Sequence, residues 1–138
     1  MVFASNLEEV INRRVRGRVV HLFGLSTSHV LKMEAKRDID GLIKALAYKK
    51  DPVVRKWAAK ALGEIGDACA VDGLVSALKD QDKVVRRFVV VALGIIGGAS
   101  AVEGLVAALK DHDKWVRAWA ASALEKIRQK ELGLPHAV

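Results

Sequence analysis

The chain has 138 residues, of which 51% are hydrophobic, 28% are charged and only two are proline; that is enough for one domain or a short repeat array, and it argues against disorder. The net charge of +7 is uneven: residues 1–37 carry +4 and residues 38–138 only +3, so nucleic acid or an anionic surface would have to be met mainly by the N-terminal part. Cys69 is the single cysteine, which excludes an internal disulfide, and the N-terminal stretch has no apolar signal-peptide core, so a cytoplasmic protein is expected.

Residues 1–37 read as a basic helical cap or a degenerate repeat. Ser5 and Glu8 have the spacing of a capping box. "NRRVRGRVVHLFG" follows at 12–24 and supplies Arg13, Arg14, Arg16 and Arg18. It aligns with "DPVVRKWAAKALG" at an offset of 39, which puts Gly24 on Gly63. "LSTSHVLKMEAKR" then predicts a short helix near 28–36 capped by Ser28, and adds Lys32, Lys36 and Arg37 to the basic set.

From residue 38 the chain repeats itself. "DPVVRKWAAKALGEIGD" (51–67), "DKVVRRFVVVALGIIGG" (82–98) and "DKWVRAWAASALEKIRQ" (113–129) are spaced by 31 residues. They follow "DIDGLIKAL", "AVDGLVSAL" and "AVEGLVAAL". Each unit predicts two helices, giving units at 38–68, 69–99 and 100–130 and a flexible tail at 131–138. In the first unit, Leu42, Ile43, Ala45 and Leu46 make one apolar face, and Val54, Ala58, Ala61, Leu62 and Ile65 make the other at helical spacing. Asp51, Asp82 and Asp113 stand where N-caps belong, and Pro52 occupies the first helical position. Gly66 and Gly97 are placed to end the second helices. The third unit loses its terminal glycine, with Glu125 in its place, and its helix is expected to run on through "KIRQKE". One helix pair cannot bury both of its faces, so the pairs must stack.

These repeats resemble the short HEAT-like repeat, of the type also found in phycobilisome lyases. The likeness implies an all-α fold, a short right-handed α-solenoid whose second helices line a concave surface. It also implies that the Asp/Arg sets Asp51 and Arg55, Asp82 and Arg86, and Asp113 and Arg117 form a structural ladder linking neighbouring repeats. Gly41, Gly73 and Gly104 stand where the family often has proline.

Candidate sites are few. Phe88–Val102 is a run of fifteen uncharged residues, shorter than the roughly 20 a membrane span requires, and its sister segments carry Lys60 and Glu64. Asp80, Asp82, Asp111, His112 and Asp113 fall in interhelical turns, where turn and capping chemistry accounts for them without a metal. Cys69 reads as a small buried or half-buried residue. No catalytic set, cofactor loop or metal motif is recognisable.

One constellation stands out. Trp57, Phe88 and Trp119 recur at the 31-residue spacing and are expected to form a strip on three stacked helices. Val84, Val91, Ile95 and Trp115 extend it, and Lys56, Lys60 and Arg87 give it a basic rim. The sequence therefore predicts a non-catalytic scaffold that holds a protein, a peptide or a second copy on this face. Binding of nucleic acid or an anionic surface through the basic N-terminal residues is the alternative, and a lyase subunit the third reading.

Overall fold

The computed structural model describes residues 24–133. Every regular element among them is helical: α1 (Thr27–Ala35), α2 (Ile39–Leu46), α3 (Pro52–Ile65), a 3₁₀ turn (Ala68–Ala70), α4 (Val71–Ala77), α5 (Lys83–Ile96), α6 (Ala99–Ala108) and α7 (Lys114–Glu131).

Local chemistry sets the helix ends. The carboxylate of Asp51 accepts from the Val53 amide, that of Asp82 from Val84 and Val85, and that of Asp113 from Val116, satisfying amides that have no partner within the helix. Gly66 and Gly97 end α3 and α5 at φ 74° and 73°, a region open to glycine at little cost. In the third unit the residue aligned with them is Arg128, and α7 runs through it to Glu131. The first helix begins one residue earlier than expected. Its N-cap is Ser26, not Ser28; the Ser26 amide donates to Nδ1 of His29 at 3.2 Å. Gly24 does not match helical Gly63, because it lies outside any helix at φ 73°. The proposed capping box at Ser5 and the bulk of the degenerate repeat lie outside the described residues, as does the tail beyond 133.

The helices form two layers. One holds α2, α4 and α6; the other holds α1, α3, α5 and α7, with α5 packed between α3 and α7. The core runs between the layers through Leu42, Val54, Leu62, Leu74, Val85, Val89, Leu93, Leu105 and Val116, all fully buried. It is built from Ala, Val and Leu, with no buried polar or charged side chain among the described residues. Cys69 is exposed rather than buried: it sits in the 3₁₀ turn, where a hydrogen bond to the Asp67 carboxylate raises its thiol pKa.

Glycine governs how closely the second helices approach. A Cβ on Gly63 would lie 2.9 Å from the Ala92 Cα, and one on Gly94 would lie 2.7 Å from the Ala123 Cβ. Glu125 aligns with these two glycines and not with Gly66 and Gly97. Its side chain reaches solvent and accepts from Arg128 at 2.6 Å, with no further helix against it among the described residues. Gly63→Val should therefore lose about 2 kcal/mol, because the obstructing atom is backbone and cannot move aside. Glu125→Ala should stay within about 0.5 kcal/mol. Urea unfolding of the two variants measures both.

The ladder between units differs from the expected pairing. Asp51, Asp82 and Asp113 serve as N-caps, and the acids that meet the ladder arginines are Asp80 and Asp111. Arg55 donates to both carboxylate oxygens of Asp80 at 2.7 and 3.1 Å, and Arg86 to both of Asp111 at 2.9 and 3.1 Å. The remaining guanidinium nitrogen holds the arginine's own turn: Nη1 of Arg55 donates to the carbonyls of Tyr48 and Lys49, and Nη1 of Arg86 to those of Asp80 and Gln81. Each of these acids also accepts from the amide two residues on, Asp80 from Asp82 at 2.8 Å and Asp111 from Asp113 at 2.9 Å, so each carboxylate is held in its turn where the planar fork reaches it.

Arg87 adds a third link, donating to both oxygens of Asp113 at 2.8 and 2.9 Å. That guanidinium, helped by the Val116 amide, holds the Asp113 carboxyl well below the usual carboxylate range. A depressed folded-state pKa means stability that is present above the unfolded value, near about 4, and is lost as pH falls below it. Asp113→Asn keeps a capping side chain but removes the charge. Wild type should exceed this variant in stability at neutral pH, and the gap should close as urea midpoints are followed below about pH 4.

Candidate functional site

The face formed by α3, α5 and α7 carries the aligned aromatics. Trp57 and Phe88 meet edge to face, with ring centroids 6.3 Å apart and planes inclined by 61°. Trp119 does not continue this ring contact. It stands instead across a cleft of about 270 Å³ from Phe88, lined also by Lys60, Gly63, Glu64, Val91, Ala92 and Ile95.

Phe88 is half-buried and rests on the core, while Trp57 and Trp119 are 36% and 38% exposed. Ile95 and Val91 are more open, at 53% and 44%. Trp115 is 48% exposed with the Lys114 ammonium 5.5 Å from its ring, and Val84, its equivalent in the middle unit, is half-buried. Val53 is the first unit's equivalent of these two; it is also exposed, and the 31-residue register alone would have found it. Phe88 thus covers the core while Trp57 and Trp119 present much of their rings to solvent.

The middle helix is what makes the patch apolar. Where α5 has Val91 and Ile95, α3 has Lys60 and Glu64 and α7 has Ser122 and Lys126. Gly63 lets α3 close on Ala92, which forms the cleft floor.

The rim differs from the sequence expectation at Arg87. Its guanidinium is committed to Asp113 and does not stand free beside the aromatics. Lys56 holds its ammonium 5.1 Å from the Trp57 ring centroid and 5.6 Å from that of Phe88, and Lys60 lies 5.3 Å from Trp57. Such contacts are worth about 0.5–1 kcal/mol at exposed positions. Lys60 is also paired with Glu64 at 2.8 Å, which raises its pKa. Glu34, on α1, reaches the same spot; its hydrogen bond with Glu64 raises the Glu34 pKa and lowers that of Glu64. The rim is therefore a compact mixed-charge cluster, with Lys56 the cation nearest both rings.

A second depression, of about 650 Å³, lies on the other layer between α2 and α4. Its charged lining includes Arg55 and Asp80, which already satisfy each other. Lys32, Lys36 and Arg37 are exposed on and just after α1, and Arg13, Arg14, Arg16 and Arg18 lie outside the described residues. Among the described residues no group of three or more His, Cys, Asp or Glu is arranged to hold a metal ion, and no helix is long and apolar enough to cross a membrane.

The family model described as HEAT repeats matches residues 39–131, about two thirds of the chain. No curated protein matches the sequence.

Proposed function

The chain belongs to the HEAT-repeat family, and from that premise we propose that it is a non-catalytic interaction scaffold that holds a protein or peptide on the α3–α5–α7 face. Repeats of this family commonly serve as protein-interaction scaffolds. The observation that carries the reading is the half-exposed set Trp119, Val91 and Ile95 around one cleft, with Trp57 half-exposed against the cleft's Phe88. The repeat needs neither Val91 nor Ile95 to be apolar, since Lys60, Glu64, Ser122 and Lys126 serve at the same register.

The cleft takes one large apolar side chain. Anchoring of an amphipathic helix or an extended peptide by such a residue between aromatic walls matches the architecture of interface hot spots. Lys56, beside both rings, favours an acidic residue next to the anchor. A lyase-component role rests on the likeness of the repeat alone, and an absorbance titration with bilin tests it.

Ile95→Glu places a charge on an exposed edge of the cleft, so the fold should survive while the apolar contact is lost. Wild type, Ile95→Glu and Trp119→Ala should be compared by quantitative pull-down from the native host and by light scattering. Both variants should lose the same partner by at least about tenfold, or turn a dimeric wild type monomeric. Retention of every partner and an unchanged oligomeric state in both variants would refute the reading.

A further inference from the structure

A second surface lies on the last helix pair among the described residues, at the exposed edge of α6–α7. Arg117 is the third ladder arginine, and its Nη1 holds its own turn just as Arg55 and Arg86 do, donating to the carbonyls of Asp111 at 2.7 Å and His112 at 3.0 Å. In Arg55 and Arg86 that grip leaves Nε and Nη2 facing the next unit, where both donate to one aspartate. On Arg117 the same edge meets no carboxylate among the described residues, and the side chain is exposed.

On the same edge by repeat register are Val106 and Leu109, 51% and 38% exposed, just as Ile43 and Leu46 share a depression with Arg55 in the first unit. Their equivalents in the middle unit, Val75 and Leu78, close on Gly104 of the next helix; a Cβ there would lie 3.2 and 3.1 Å from them. This edge of the described helices thus presents a carboxylate-binding fork next to an apolar step. The chain itself shows twice what fills such a place: a helix with a glycine at the contact, ending in a turn that offers an aspartate.

The second-helix layer is closed to a close neighbour, because Glu125 replaces the glycine that Gly63 and Gly94 supply. The open half is therefore α6 and the turn before α7. The geometry points to this half-socket as a docking site for a different polypeptide, one that presents a short helix ending in an aspartate-bearing turn. Charge argues against a second copy stacked head to tail: where the middle and last units have Asp80 and Asp111, the first unit's turn has Lys49 and Lys50. Asp80 and Asp111 themselves are already held by Arg55 and Arg86, with side chains only 9% and 13% exposed.

The test uses the full chain and a hydrocarbon-stapled peptide copying residues 103–113, "EGLVAALKDHD", which carries the glycine, the apolar step and the turn aspartates. Titration is followed by the NMR signal of the Arg117 Nε–H group. That signal should shift and saturate. Arg117→Ala in the protein, read by backbone shifts of α6, and Asp111→Asn in the peptide should each weaken binding by at least about tenfold, because each removes one side of a bidentate pair. Ile95→Glu should leave the peptide's affinity unchanged. No shift at millimolar peptide, or equal binding by the Asp111→Asn peptide, overturns the inference. Weakening by Ile95→Glu but not by Arg117→Ala would also overturn it, placing the peptide in the aromatic cleft and leaving the proposed scaffold function intact. Association of the protein with itself that Arg117→Ala abolishes would refute the choice of a different polypeptide.

Discussion

Leu93→Ala should lower the unfolding free energy by about 3–4 kcal/mol. Leu93 is fully buried in α5, the helix that packs against both α3 and α7. Removing its branched end leaves a cavity whose walls cannot collapse easily. Gly63 against Ala92 and Gly94 against Ala123 already hold the neighbouring helices at close contact. In a stacked array each unit is stabilised chiefly by its neighbours, so a defect in the middle weakens two interfaces rather than one. The loss is a large share of the roughly 5–15 kcal/mol typical of a domain. Urea unfolding followed by circular dichroism measures it. A loss below about 1 kcal/mol would mean that α5 does not join the two ends into one cooperative unit.

Arg86→Ala should cost about 2–3 kcal/mol, whereas Arg117→Ala should cost less than about 0.5 kcal/mol. The two residues occupy the same position in successive units and grip their own turns in the same way. They differ in what lies on the outer edge. Arg86 donates twice to Asp111, and both side chains are only 13% exposed. Truncating Arg86 strands a largely desolvated carboxylate and frees the Asp80 and Gln81 carbonyls. The figure sits below the cost of breaking a fully buried pair, because water reaches the edge of this one. Arg117 strands no carboxylate among the described residues. A double-mutant cycle separates the pair from its surroundings: adding Asp111→Ala to Arg86→Ala should cost clearly less than the two single changes summed. Additive costs would show that Arg86 acts through its own turn alone.

Much of the fold was legible in the sequence. The aspartates before each second helix, Pro52, and the glycines that end α3 and α5 all act within a few residues of themselves. Such signals depend only on local backbone chemistry. The 31-residue register placed Trp57, Phe88 and Trp119 on one face for the same reason, since helical periodicity fixes which residues share a side.

The sequence left open, or misassigned, whatever depends on how one unit sits on the next. The ladder contacts join residues 25 apart, and the Arg87–Asp113 link joins residues 26 apart. Which acid reaches which arginine depends on the shift between stacked pairs, and the repeat pattern does not encode that shift. That is why Asp80 and Asp111 meet Arg55 and Arg86 in place of the capping aspartates, and why Arg87 left the rim for the capping Asp113. It also explains why Gly63 and Gly94 proved to set helix spacing and why the Trp119 ring stood off from Phe88 across a cleft. By itself the sequence determined the repeated helices, the caps of the second helices and the face most of their side chains occupy, because those follow from the backbone's own hydrogen bonds and its 3.6-residue turn. Only the tertiary structure decided the exposure of the aromatics and the partners of the arginines, because both depend on the close packing of surfaces that are distant in the chain.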